Sequence, residues 1–216
     1  IGLMPVVMIT PYDINLVLGG SDIRRKFIDV LISQFNKSYL DELIGYNKLL
    51  LQRNKLLKKW AFSNLYQPDL LEVINFQLAE KGNFIHTNRK QFLLDFIPEF
   101  NRIYQKISNT NENVQLVYES TLNDNEFLKL LENNIDRDRA LTHTSHGVHK
   151  DDLVFKIHEQ PLKKFGSQGQ QKSFLIALKL AKFQFIKNQK GVAPILMLDD
   201  IFDKLDNDRV SYLIDL

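Results

Sequence analysis

An α/β fold interrupted by a long α-helical arm is the fold class this sequence predicts, and three observations carry it. Val6–Ile9 and Ile195–Leu198, near the two ends, are short apolar runs beside prolines and read as strands. Residues 21–110, between them, repeat apolar side chains at helical spacing almost without interruption. The second strand ends abruptly on Asp199 and Asp200, and the long helix before it starts at a glycine turn, which returns the chain to the same side of the sheet. Ligands of open α/β sheets sit at that edge.

Taken in order, Val6–Ile9 is expected to be a core strand ended by Thr10 and Pro11. Asp13 falls in the next loop, a short helix leads to the Gly19-Gly20 break, and Ser21 can cap a helix whose Ile23, Phe27, Val30 and Leu31 share one face. Leu40, Leu43, Ile44, Leu50, Leu51 and Leu57 suggest one long helix. Leu70, Leu71, Ile74 and Leu78 suggest a second, begun by Pro68. Phe92, Phe96, Phe100, Ile103 and Ile107 suggest a third, kinked or broken at Pro98. Such lengths and short connections make a small antiparallel bundle.

The polar stretch 109–113 marks a boundary, after which residues 114–118 read as a strand and Phe127, Leu128 and Leu131 as a helix face. The expected division is therefore an α/β domain of residues 1–20 and 111–216, with the arm at 21–110. His143, His146 and His149 recur every third residue, a spacing that in an irregular or extended segment does not converge on one metal ion, and no cysteine assists. Asp151 and Asp152 precede a strand at 153–157 and suit a turn or polar network.

Charge is unevenly placed. The net charge is only +2, so any nucleic-acid argument rests on where the basic residues fall. Between Leu43 and Pro68 stand Lys48, Arg53, Lys55, Lys58 and Lys59 with no acid among them, and Trp60 closes the run. Lys48, Lys55 and Lys59 lie on neighbouring turns and can form a phosphate-facing stripe; a solvated helix face is the plain alternative, and Trp60 reads as core. The 216 residues are 44% hydrophobic, as in a folded domain, and contain no cysteine, which excludes disulfides and thiol chemistry and fits a cytoplasmic location. Residues 1–9 are too short to span a bilayer.

Residues 165–206 carry the chemistry. Ser167 precedes Phe174, Ala177, Leu178, Ala181 and Phe185 at one helical face and is a natural N-cap. Gly166 and Gly169 let a ligand approach the backbone, and the first-turn N–H groups with the helix dipole favour an anion beyond Ser167. A phosphate fits there, although a Ser-x-Gly segment alone would suit an ordinary capped helix. The run after Pro194 reads as a strand buried on both faces, which brings the hard oxygens of Asp199 and Asp200 to the ligand edge, where they suit Mg²⁺ on a nucleotide.

With these residues in view, S-Q-G-Q at 167–170 resembles the signature motif of ABC-type ATPases, I-L-M-L-D-D at 195–200 their Walker B strand, and D-K-L-D at 203–206 their D-loop. The wording F-G-S-Q-G-Q-Q-K, the paired aspartates, the pattern P-Y-D-x-x-L-V-x-x-G-S-x-x-R-R-K-F-x-D at 11–29 and G-V-H-K-D-D-L at 147–153 are most similar to the RecF family of bacterial recombinational repair proteins. Val148 and Lys150 stand where that family usually has Pro and Arg. The larger departure is that no G-x-x-x-x-G-K-[ST] phosphate loop occurs; with Ile1 in first place and a helical pattern still running at Leu216, the chain reads as a fragment of an incomplete ABC-type head of the P-loop NTPase fold.

The resemblance implies ATP and Mg²⁺ as cofactors, ATP-dependent homodimerisation on single-stranded, gapped or junction DNA, slow hydrolysis, and cooperation with RecO and RecR to load RecA. It implies that Ser167, Gln168, Gly169 and Gln170 face the γ-phosphate held by the opposite subunit. Asp199 then serves the Mg²⁺ shell, Asp200 the attacking water, and Asp206 the dimer seam. No membrane role is implied. The alternatives are another SMC-like ATPase, whose long coiled coil the short arm lacks, and a non-enzymatic DNA- or partner-binding module.

Overall fold

The computed structural model describes residues 5–63, 66–108 and 112–199; Asp200, Asp206 and the rest of the 203–206 segment lie outside them. Strand β1 (Val6–Ile9) is followed by a 3-10 turn (Pro11–Ile14), a short helix α1 (Asn15–Leu18) and helix α2 (Ser21–Ser33). The long helices are α3 (Lys37–Ser63) and α4 (Pro68–Ser108). Then come β2 (Val114–Glu119), α5 (Phe127–Asn133), α6 (Ile135–Leu141), β3 (Asp152–Ile157), β4 (Gln160–Pro161), α7 (Leu162–Phe165), α8 (Gln168–Lys190) and β5 (Ile195–Leu198).

One expectation changes here. The second and third helical patterns are a single helix of 41 residues, with Pro98 inside it. Proline at 98 removes the N–H that would bond the carbonyl of Leu94, and both residues are exposed, Leu94 at 68%. Water can satisfy that carbonyl, so the helix continues. Pro68 opens the helix, where its missing N–H costs nothing.

The chain forms two compact units whose bounds differ from the sequence division: one of residues 1–27, 92–117 and 153–216, the other of residues 28–91 and 118–152. The first unit holds the two strands of the expected sheet, paired in parallel with Val6 opposite Ile195 and Ile9 opposite Leu198. Helix α8 packs against β1. Its buried residues run nearly all round it, as in a helix enclosed by its neighbours. The last five turns of α4 supply facing aromatics, with Phe92 and Phe96 meeting Phe185 at 5.1 and 6.0 Å and Phe100 meeting Phe174 at 4.7 Å, and Phe155 of β3 meets Phe174 at 5.0 Å.

Strand β5 is not buried on both faces. Val7 and Ile9 are buried, while Val6, Met8, Ile195 and Met197 are 45–48% exposed. Side chains alternate across a pleated sheet, and among the described residues only two strands pair here, with α8 packed against β1. In the second unit, Tyr39, Tyr46, Arg53 and Leu57 form the buried side of α3, and Leu71, Ile74, Leu78 and Ile85 that of α4. Gly147 there has φ +127°, and a Cβ would lie 2.5 Å from the Phe127 ring and 2.6 Å from the Tyr46 hydroxyl. Only glycine fits that backbone at that distance.

A capped helix end and a basic helix face

The N-terminus of α8 forms as the Ser167 pattern predicts. Ser167 is extended (φ −63°, ψ 162°), and its hydroxyl oxygen accepts from the Gln170 N–H at 3.2 Å. The Ser167 N–H in turn donates to Gln170 Oε1 at 2.8 Å, completing a capping box. Two amides are thus used internally, and those of Gln168 and Gly169 complete the first turn at an exposed surface. A Cβ at Gly169 would meet nothing closer than Ser167 Oγ at 3.9 Å, so the space over this turn is open. The Gln170 amide nitrogen also donates to Glu112 Oε1 at 2.8 Å. At the other end, Gly191 (φ +66°) closes the helix with Lys187 and Lys190 in the last turn.

Asp199 is exposed just past β5, its N–H donating to the Ile9 carbonyl at 3.0 Å. It therefore stands at the C-terminal edge of the parallel pair, as its place after an apolar run predicts. That edge also carries residues the sequence did not single out. Lys179 of α8 donates to Asp13 Oδ1 at 2.5 Å and to the Met8 carbonyl at 3.1 Å, while Asp13 Oδ2 accepts from the Thr10 N–H at 2.8 Å. Lys182, one turn on, has its pKa lowered by burial first and by Lys179 second, with Asp13 opposing. The available signal was a pair of lysines, Lys179 and Lys182, within the apolar stretch 174–186 of the helix.

Of the five basic residues between Leu43 and Pro68, the structure exposes Lys48, Lys55, Lys58 and Lys59. Arg53 is withdrawn as a DNA contact, because it is fully buried. Its guanidinium donates to Asp138 Oδ2 at 2.6 Å, Thr144 Oγ1 at 2.8 Å, Asn75 Oδ1 at 2.7 Å and the Leu131 carbonyl at 3.3 Å. Helix phase explains the difference: at about 100° per residue, Arg53 lies about 140° from Lys48, while Lys55 and Lys59 fall within about 20° of it. Trp60 is half-buried, stacked on Tyr66 at 4.1 Å with the Arg139 guanidinium 4.5 Å from its ring centre.

The 147–153 stretch is built into a buried network. Arg89 grips Asp29 with Nε and Nη2, both at 3.0 Å, and reaches the Val148 carbonyl at 2.8 Å and Asp151 at 3.0 Å; Tyr118 also donates to Asp151. Burial opposes the Arg89 charge, but Asp29 and its other neighbours outweigh it and raise the pKa. The histidines turn to separate partners: His143 to the Leu141 carbonyl, His146 to Ser145, His149 to Tyr46 and the Thr144 carbonyl. Among the described residues no cluster of histidine or carboxylate groups is arranged to hold a metal ion, and no helix is long and apolar enough to cross a membrane.

Comparison with known proteins agrees along the whole chain. It is 54% identical over 216 residues to the DNA replication and repair protein RecF of Flavobacterium johnsoniae, covering all of this chain and 60% of that protein. It is 46% identical to RecF of Phocaeicola vulgatus, covering 58% of it. The chain thus spans less than two thirds of the curated relatives it matches. No family model matches. Two solved structures of the recombination mediator protein RecF in the RecFOR pathway, one with ATP and one with ATPrS, superpose with TM-scores of 0.90 and 0.88 at 29% identity, over 98% and 99% of this chain and 59% of each of theirs. The fold is α/β, that of the ABC-type ATPase head with its helical arm.

Proposed function

The chain belongs to the RecF family, and from that premise we propose that it is part of an ATP-dependent DNA repair protein whose α8 N-terminus meets nucleotide across a subunit interface. The observation that carries this reading is the open, capped first turn of α8, in a fold that superposes on an ATP-bound RecF structure with a TM-score of 0.90. Preorganised N–H donors at a helix end suit a phosphate anion, and their worth rises as charge develops in phosphoryl transfer.

In this reading the Ser167 hydroxyl and the amides of Gln168 and Gly169 bind the γ-phosphate held by the partner subunit, and Gln170 holds the turn in shape. Asp199 suits the shell of a Mg²⁺ ion: it is an exposed carboxylate at the ligand edge, and this ion binds through one or two carboxylates together with phosphate oxygens and water. When bound, the ion neutralises charge on the transferring phosphoryl group. Asp200 orients or deprotonates the attacking water and Asp206 lies across the seam. The exposed Lys48, Lys55, Lys58 and Lys59 face DNA phosphates, and RecO, RecR and, through them, RecA are the functional partners.

The experiment is Ser167→Ala in the gene product that carries these residues, with ATP-dependent association followed by sedimentation. The expected result is dimerisation weakened about tenfold or more while nucleotide binding to single subunits stays within about twofold, the pattern of a contact made only across the interface. Association that keeps its wild-type ATP dependence would overturn the reading.

A further inference from the structure

We infer that Glu112 is the positioning residue of the α8 N-terminus: its carboxylate fixes the Gln170 side chain, and through it Ser167, in the orientation that presents Ser167 to an anion. The inference rests on the proposed nucleotide-facing role of that turn.

Gln170 has one carboxamide and two tasks. Its oxygen accepts from the Ser167 N–H at 2.8 Å, which requires that its nitrogen point the other way. The nitrogen meets Glu112 Oε1 at 2.8 Å. A carboxylate can only accept, so it selects the amide orientation in which the NH₂ group faces Glu112 and the oxygen faces Ser167. The reverse orientation would set two oxygens against each other and the NH₂ group against the Ser167 N–H. Glu112 is itself held, because the Tyr104 hydroxyl donates to its other oxygen, Oε2, at 2.6 Å.

Tyr104 is a firm anchor. It is fully buried near the end of α4 and packs edge-on against Phe174, one of the first core residues of α8, at 6.0 Å. The chain Tyr104, Glu112, Gln170, Ser167 therefore ties the exposed cap to the aromatic core of the same unit. The Gln170 side chain holds the Ser167 N–H, while the Gln170 backbone N–H holds the Ser167 hydroxyl, so loss of the side-chain orientation frees the Ser167 backbone and, with it, the hydroxyl that would meet phosphate. A 1 Å error in such a group is costly for a site built on preorganised donors.

The test uses the intact gene product with three variants, Glu112→Ala, Glu112→Gln and Ser167→Ala. ATP-dependent dimerisation, nucleotide binding by single subunits and thermal midpoint are measured for each. Glu112→Ala is expected to weaken dimerisation about three- to tenfold, the range for one net hydrogen bond acting through an intermediary, with nucleotide binding and thermal midpoint unchanged. Glu112→Gln keeps an acceptor oxygen and is expected to recover most of the loss; a purely structural role would move the midpoint instead. If Ser167→Ala weakens dimerisation and Glu112→Ala does not, the positioning role is wrong and the nucleotide-facing turn stands. If Ser167→Ala has no effect, the turn itself is misassigned and the inference falls with it. If Glu112→Ala does not fold, Gln170→Met decides, since it removes the carboxamide that Glu112 orients and keeps the backbone N–H: dimerisation more than about threefold weaker with an unchanged midpoint supports the role, and unaltered dimerisation refutes it.

Discussion

Arg53 shows how a single side chain can sit in a basic run and play no part in its charge at the surface. It is fully buried with Asp138, which is 1% exposed, and Asp138 is also the acceptor for the Ser145 N–H at 2.9 Å and hydroxyl at 2.5 Å. Burial lowers the Arg53 pKa, and the Asp138 hydrogen bond and charge oppose that shift, so the pair stands or falls together. Removing one member leaves an uncompensated buried charge. Arg53→Met is therefore expected to cost about 3–5 kcal/mol. Adding Asp138→Asn should restore part of that, because the amide oxygen can still accept from Ser145 while the stranded charge is gone. Urea unfolding of both variants measures this; an Arg53→Met protein within about 1 kcal/mol of wild type would show that the pair does not hold the unit together. Nothing local in the sequence marks this role, because the carboxylate that claims Arg53 lies 85 residues away. Only the helix phase, which sets Arg53 opposite Lys48, pointed inward.

At the scale of elements, pattern and punctuation were legible where the deciding forces are local. The start of α8 at Ser167, the start of α4 at Pro68 and the strand at Val6–Ile9 follow from a cap, a missing N–H and a short apolar run. Pro98 was misleading because its cost depends on whether water reaches the Leu94 carbonyl, which is a property of the fold and not of the residue. The division at Phe92 was not legible, since it falls in the middle of α4, where no polar or glycine-rich stretch announces a boundary. Helix α3 carries the clearest element-level prediction. Lys48, Lys55 and Lys59 share one exposed stripe, and Lys58 lies about 80° to the side of Lys48. Lys55→Glu with Lys59→Glu should weaken DNA binding by the intact gene product about tenfold or more at low salt. The slope of log affinity against log salt should fall by about two. Wild-type affinity and slope in that double variant would remove this face from the DNA surface.

For the molecule as a whole, the proposed function gives the 216 residues the donors for one side of a nucleotide and not those for the other. In the proposed reading the α8 turn serves a terminal phosphate and Asp199 the Mg²⁺ shell, but the sequence contains no G-x-x-x-x-G-K-[ST] loop to wrap the β-phosphate and place its lysine. Phosphoryl transfer is accelerated almost entirely by positioning and charge neutralisation, so half of a site loses most of the effect and does not retain half of it. The purified 216-residue chain is accordingly expected to bind ATP weakly and to show no Mg²⁺-dependent hydrolysis above the uncatalysed rate. Ser167→Ala and Asp199→Ala should then change nothing in the isolated chain, whereas the same substitutions are expected to impair the intact gene product. A steady-state phosphate-release assay on both proteins provides the check. Mg²⁺-dependent turnover by the chain alone that disappears on Asp200→Asn would mean that these residues assemble a complete catalytic site by themselves, and the division of labour between subunits proposed for Ser167 would have to be abandoned.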